Sequence, residues 1–232
     1  MAWATRQPVP DAGRVWSALS DAHEQTGLVP VLLAMEPAED PEGFAFDGFC
    51  GSPCDVTELD HLDAADVLRG MWDGSFGEEE YDDRPPAARE HAPFGRQFPG
   101  LAPGEDGKLS TAQLHQVPGS LPSARLGLIP AGRPADVLPL VGWIPADWAG
   151  NALPAAAVLR SWEARFGARL LKIGPGRIQL LVERPPRTSA AALRLAAEHF
   201  VFCDECGGQG LRYVSAIAAS LAGAPVWTFW WD

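Results

Sequence analysis

The chain closes with Val226-Trp227-Thr228-Phe229-Trp230-Trp231-Asp232, an alternating aromatic segment that holds three of the nine tryptophans. This alternation predicts a strand docked into the core, because side chains at every second position lie on the same face of a strand. Burying one Trp removes about 150 to 250 Å² from water, which is worth about 4 to 6 kcal/mol before entropy is subtracted. We therefore expect the closing segment to contribute strongly to the stability of the fold.

The rest of the second half alternates between helical and strand patterns. In chain order, the patterns predict a strand over 124–129, a helix over 134–141, a helix over 155–166, a hairpin of strands over 168–173 and 177–183, a helix capped by Thr188 or Ser189, and a helix over 210–221. The sequence predicts an α+β fold, in which helices cover one face of a mainly antiparallel sheet and the C-terminal strand closes the core.

The first half has fewer regular patterns. We predict a helix over 13–26 ended by Gly27, a buried strand over 28–35, a loop over 36–60 and a helix over 62–72. The following stretch to Ser123 is rich in acidic residues and proline and lacks periodicity, which favours a linker or a surface loop. The predicted organisation is an N-terminal α/β region (1–75), an acidic Pro/Gly-rich linker or surface loop (76–123) and a C-terminal α+β domain (124–232).

The net charge of −12 argues against a nucleic-acid partner, because phosphate binding depends on Lys and Arg. Residues 1–124 carry −15 and residues 125–232 carry +3. The acidic first half suits either the docking of a basic partner or the solvation of a loop-rich region, and both interpretations remain open. The sequence shows no signal-peptide pattern and no apolar run that could span a bilayer, so we expect a cytoplasmic protein without a membrane partner.

Three stretches of the second half resemble a known family. They are residues 158–171 (VLRSWEARFGARLL), 185–203 (PPRTSAAALRLAAEHFVFC) and 224–232 (APVWTFWWD). They are similar to the domain-of-unknown-function family 4253, which is common in Streptomyces and related actinobacteria, and residues 133–143 and 26–33 resemble it more weakly. The resemblance covers roughly the last hundred residues. It implies fold kinship and a bacterial origin, and it implies no activity, cofactor or catalytic residue.

The four cysteines form two close pairs, Cys50 with Cys54 and Cys203 with Cys206. Such spacing is typical of a tetrahedral zinc site, and reduced thiols or a metal suit a reducing cytoplasm better than disulfides do. The alternative is that Cys203 is a small buried hydrophobic residue and the others are incidental. Members of the resembling family follow the first Cys of the second pair with Pro-Asp and have no second cysteine there, so any role of Cys206 is peculiar to this chain.

Glu198 and His199 form the most suggestive acid/base pair and are the candidate catalytic residues. On the predicted helix, Arg194 lies one turn before Glu198 and can pair with it. The C-terminal end of a helix favours a protonated imidazole at His199. The alternative is a surface ion pair beside a partly buried histidine.

The tryptophans are the candidate binding residues, namely Trp162, Trp227, Trp230 and Trp231. Trp230 and Trp231 must point to opposite faces of a regular strand, so one of them is either covered by the first half or lines a groove. No nucleophile elbow, phosphate-binding loop or metalloprotease motif is present. We therefore favour a non-catalytic protein- or peptide-binding module, immunity-like or regulatory. The alternative is an enzyme or small-molecule binder whose site lies between the two halves, lined by Trp and Glu198/His199.

Overall fold

The computed structural model describes residues 2–33, 51–76, 87–119, 123–144, 148, 150–203 and 213–231. Its strands are β1 (Trp3–Ala4), β2 (Val9–Pro10), β3 (Leu28–Leu33), β4 (Ser123–Pro130), β5 (Ala168–Gly174), β6 (Arg177–Val182) and β7 (Val226–Trp230). Its α-helices are α1 (Ala12–Asp21), α2 (His23–Thr26), α3 (Ala64–Gly74), α4 (Ala87–Glu90), α5 (Thr111–Gly119), α6 (Val137–Leu140), α7 (Leu153–Phe166), α8 (Ser189–Phe202) and α9 (Val214–Leu221). Short 3₁₀ helices cover Val56–His61 and Pro134–Asp136.

The strands form one sheet in the order β1-β4-β3-β5-β6-β7, with β2 also paired to β4. All pairs are antiparallel except β3 with β5, which run parallel at Leu32↔Lys172 and Leu33↔Ile173. The predicted α+β class and the closing strand are confirmed. In this order β3, from the first half of the chain, lies between two strands of the second half. The sheet therefore joins both halves.

Helices pack against both faces of the sheet. The main core packs α7 and α8 against the first face, around Trp162, Phe166 and Phe229, while α3 contacts α7 and α8, and α9 contacts α8. A smaller cluster packs α1 and α5 against the second face, around Trp16 and Leu114. The sequence predicted helices on one face of the sheet, and the structure has a second helical layer on the other face. No helix among the described residues is long and apolar enough to cross a membrane.

The ends of several helices follow from local sequence. Gly27 after α2 and Gly167 after α7 adopt left-handed backbone, with φ of 67° and 62°, and end these helices as predicted. The Thr188 side chain accepts a hydrogen bond from the Ala191 amide and caps α8. One difference lies at Ala22, where the first predicted helix divides into α1 and α2.

The segment predicted to be a linker or surface loop contains α4 and α5 within its described part. The α5 helix lacks a strong apolar repeat and holds Pro118 in its last turn, which explains why periodicity did not reveal it. It is held by contact with α1: a Cβ atom on Gly13 would lie only 1.4 Å from the Pro118 carbonyl oxygen. Glycine at position 13 is what permits this close approach.

Candidate functional site

A cleft of about 650 Å³ lies where the two halves of the chain meet. We call it the junction cleft. Helices α1, α2 and α5 and strand β3 contribute the side from the first half, and α7, β5 and the residues after β6 contribute the other side. Its polar lining includes His23, Glu163, Arg169 and Arg184. The alternative function considered from the sequence predicted a site between the halves, but the cleft does not include Glu198 or His199.

Arg169 is placed in the junction cleft by β5, where it points to the second face of the sheet together with Trp16 of α1. Its Nη1 donates a hydrogen bond to Ser20 Oγ at 3.0 Å, and its Cζ lies 6.0 Å from the centroid of the Trp16 ring. Within the described part of the chain, no carboxylate oxygen lies within 4.0 Å of this guanidinium. The sequence carries no motif that would single out Arg169.

Glu163 is a half-buried residue of α7 that also lines the junction cleft. It accepts one long hydrogen bond, 3.3 Å from the Ala135 amide. Burial raises the pKa of Glu163, while the Ala135 amide and the positive charges of Arg133 and His23 oppose this effect. No side-chain cation in the described ranges lies within 4.0 Å of its carboxylate. Glu163 could not be recognised from the sequence, because an isolated Glu on a helix resembles an ordinary surface residue.

Glu198 lies far from solvent, with none of its surface exposed. Its partner is Arg165 and not Arg194: Nη1 and Nη2 of Arg165 donate to Oε1 and Oε2 at 2.8 and 2.6 Å. Trp162 Nε1 donates to Oε2 at 2.8 Å, and the Ala102 amide donates to Oε1 at 2.6 Å. Four donors thus occupy the carboxylate. This geometry makes Glu198 a structural cross-link between α7, α8 and residue 102.

His199 is buried among the aromatic rings of the main core. Its ring centroid lies 4.8 Å from those of Trp162, Trp227 and Phe229, and its Nε2 has no hydrogen-bond partner among the described residues. Burial, assisted by the positive charge of Arg165, lowers the pKa of His199 to about 3. The expected preference for imidazolium at the helix end is therefore overridden by desolvation, and the ring is neutral at physiological pH.

The candidate binding tryptophans have separate environments. Trp162, Trp227 and Trp231 are buried in the main core, whereas Trp230 is half-buried and stands outside that cluster, opposite Arg177 on β6. Trp162 stacks on Phe229 with ring centroids 5.2 Å apart. These three buried residues stabilise the interior and do not face the junction cleft. Their role as ligand contacts remains a prediction from the sequence.

The described cysteines differ in state. Cys203 is disulfide-bonded, whereas a reduced thiol or a thiolate ligand was expected, and its Sγ lies 3.1 Å from the Trp230 carbonyl oxygen. Cys54 is a free thiol. Cys50 and Cys206 lie outside the described residues, and within those residues no group of three or more His, Cys, Asp or Glu side chains could hold a metal ion. The zinc site stays a prediction, which the metal content of chelator-free protein tests.

Ser75 and His91 form a further polar contact that the sequence did not indicate. His91 Nε2 lies 2.7 Å from Ser75 Oγ, as in a nucleophile paired with its base. However, Ser75 Oγ donates its hydrogen to the Trp72 carbonyl oxygen at 2.7 Å. His91 Nε2 must therefore donate to Ser75 instead of accepting from it. This arrangement caps the end of α3 and does not activate a nucleophile.

Comparison with known proteins bears on the second half of the chain. No curated protein and no solved structure matches the sequence. The resemblance noted from the C-terminal motifs is confirmed by a family model, whose match begins within β4 and extends to the last residue. Residues 125–232 match the family described as "Domain of unknown function (DUF4253)", and this part of the chain is therefore a DUF4253 domain.

Proposed function

We propose that this protein is a non-catalytic binding module that holds a small polar ligand in the junction cleft. The observation that carries the proposal is the cleft itself. Its volume of about 650 Å³ falls in the range of small-molecule sites, and charged side chains from both halves converge on it. A ligand bound there would contact both halves at once.

The acid/base groups outside the cleft support a binding role over a catalytic one. Glu198 has four hydrogen-bond donors around its carboxylate, and His199 is a neutral ring enclosed by aromatic side chains. In the Ser75–His91 pair, the hydroxyl hydrogen is already donated to a backbone carbonyl. None of these groups has the free acceptor and the access to substrate that general base catalysis needs.

A polar fragment library tests the proposal, with binding detected by protein-observed NMR. Thr111 is an exposed residue that lines the cleft, so Thr111→Trp should fill part of it and abolish fragment binding. Gln116→Trp is the matched control, because Gln116 is exposed on the same helix and does not line the cleft. Absence of any fragment bound in the cleft, or fragments that bind equally to both variants, would overturn the proposal.

A second candidate function is the docking of a basic protein, as the charge asymmetry of the sequence suggested. The supporting observation is a run of exposed carboxylates over residues 55–73. They belong to Asp55, Glu58, Asp60, Asp63, Asp66 and Asp73. Exposed charges of one sign accelerate association with a partner of opposite charge and lose this effect in salt.

The products of neighbouring genes are the partners to test for this second function. A charge-reversed variant, Glu58→Lys with Asp73→Lys, should weaken their retention at low salt. Asp106→Lys is the control, since Asp106 is exposed outside that surface. Equal retention by the reversed variant and the control would rule out this surface as the docking site.

A further inference from the structure

Among the described residues, two oppositely charged side chains of the junction cleft, Arg169 and Glu163, have no charged partner within 4.0 Å. Arg169 makes one hydrogen bond, from Nη1 to Ser20 Oγ, so its Nε and Nη2 donors bond to nothing in the described residues. In the described part of the chain, Glu163 accepts only the long bond from the Ala135 amide. The two side chains do not pair with each other within 4.0 Å, although both line the cleft. A half-buried charge without a counter-ion is costly, and a ligand can supply the missing charge.

Two further acidic residues of the cleft, Glu183 and Asp21, have charged or titratable partners within the protein. Glu183 contacts Lys108 at 2.8 Å and Arg184 at 3.6 Å, and Asp21 lies 3.7 Å from His115. These contacts give those groups partners within the protein. Glu24 also lines the cleft, but it is exposed and solvated by water. Among the described residues, the half-buried guanidinium and carboxyl group of the cleft without a charged partner within 4.0 Å are therefore those of Arg169 and Glu163.

We infer that the junction cleft binds a zwitterionic ligand, whose anionic group pairs with Arg169 and whose ammonium group pairs with Glu163. The inference rests on the proposed binding function and names the ligand class. A guanidinium is suited to a carboxylate because its planar donors can form two parallel hydrogen bonds. Amino-carboxylates, including amino acids and short peptides, carry both required groups.

The pKa of Glu163 predicts how such binding depends on pH. The carboxyl group must be ionised to pair with an ammonium group, and burial raises its pKa. Affinity should therefore increase as the pH rises through that raised pKa. The charged groups that act on Glu163 are Arg133 and His23, which favour its ionised form, and Asp136, which opposes it.

Matched probes test the inference on the full chain by calorimetry. Glycine, 4-aminobutyrate and 6-aminohexanoate vary the distance between the two charges, and hexanoate and hexylamine carry one charge each. At least one zwitterion should bind tenfold more tightly than both singly charged probes. If every zwitterion binds no better than hexanoate or hexylamine, the inference is wrong.

Two variants test which residue binds each charged group of the ligand. Arg169→Gln and Glu163→Gln should each reduce zwitterion affinity at least tenfold, and Glu163→Gln should also remove the rise in affinity with pH. The controls Arg14→Gln and Glu58→Gln alter exposed charges outside the cleft and should bind like the parent. Thermal unfolding of each variant checks that the fold is retained.

Zwitterion binding that both glutamine variants leave unchanged would overturn the inference. Its failure can be distinguished from failure of the proposed function. If a neutral fragment binds to the parent protein and not to Thr111→Trp, and no zwitterion binds, the proposed binding function is supported and the zwitterion inference is wrong. The absence of all binding in the cleft rejects both.

Discussion

Arg165 and Glu198 form a bidentate ion pair in the interior, with nitrogen–oxygen distances of 2.8 and 2.6 Å. Arg165 Nη1 also donates to the Ala102 carbonyl oxygen at 2.7 Å, while the Ala102 amide donates to Glu198. Ala102, which lies between α4 and α5, therefore bonds to Arg165 of α7 and Glu198 of α8 through both of its backbone polar groups. The pair holds the segment that precedes α5 against the second half of the chain.

Removal of one member of this pair should be strongly destabilising. Arg165→Met leaves the Glu198 carboxylate buried without its counter-charge, so we expect a loss of about 3 to 5 kcal/mol in the free energy of unfolding. Urea denaturation measures it. Arg69→Met, which removes an exposed pair with Asp66, is the control and should cost at most about 0.5 kcal/mol.

A double variant separates the lost charge pairing from lost packing. Arg165→Met with Glu198→Gln should be less destabilised than Arg165→Met alone, because the neutral amide needs no counter-ion and keeps an oxygen that can accept hydrogen bonds. If the two substitutions are additive, the pair does not carry the stabilisation.

Acid should destabilise the protein through His199. Its pKa falls from 6.5 to about 3 on folding, so below pH 6.5 the unfolded chain binds a proton at this site that the folded chain does not bind. Stability attributable to this group is fully present above pH 6.5 and is lost as the pH falls toward 3. Between pH 7 and pH 5 the loss is about 2 kcal/mol.

The measurement compares urea midpoints at these two pH values in the parent and in His199→Leu. The variant should lose about 2 kcal/mol less than the parent over this interval. His61→Leu, which alters an exposed histidine, is the matched control. An identical pH dependence in the parent and in His199→Leu would contradict the neutral buried ring.

The closing strand should be essential for stability. Trp227 is 2% exposed and contacts Trp162 and Phe166, so Trp227→Ala should cost about 3 to 5 kcal/mol, measured by thermal and urea unfolding. Trp3→Ala makes the same change at a residue that is 51% exposed and should stay within about 0.5 kcal/mol of the parent. Equal effects at the two positions would mean that β7 is not anchored by its indole rings.

The DUF4253 domain alone should not fold cooperatively. A fragment of residues 125–232 lacks β3, which pairs with β4 over six positions and joins it to β5. It also lacks Ala102, one of the donors to Glu198. We expect the fragment to show no sharp thermal transition by near-ultraviolet circular dichroism. Co-expression of residues 1–119 should restore a sharp transition. A cooperative transition in the fragment alone would contradict a sheet that needs strands from both halves of the chain.

Much of the fold could be read from local patterns. The helices α7, α8 and α9, the β5–β6 hairpin and the closing strand were predicted near their observed positions, because helical or alternating apolar spacing reports directly on burial. The α5 helix was missed, since its stability depends on contact with Gly13 of α1 and not on its own periodicity.

The candidate site could be predicted only in outline. The sequence indicated a site between the halves, but its candidate residues Glu198 and His199 proved to be parts of the interior. Their positions on a helix suggested exposure, and only tertiary contacts revealed that α8 is covered on nearly all sides. Arg169 and Glu163 carry no local signal, because whether a charged side chain is paired depends on residues that are distant in the sequence.

The sequence by itself determined the approximate positions of α7, α8, α9 and the β5–β6 hairpin, and which segment closes the core. Those features depend on caps, left-handed glycines and periodic burial, which act over a few residues. Only the tertiary structure decided that β3 lies between β4 and β5, that Arg165 pairs with a residue 33 positions away, and that a cleft opens between the halves. Such contacts join distant segments, and their geometry depends on the packing of the whole chain and not on any local pattern.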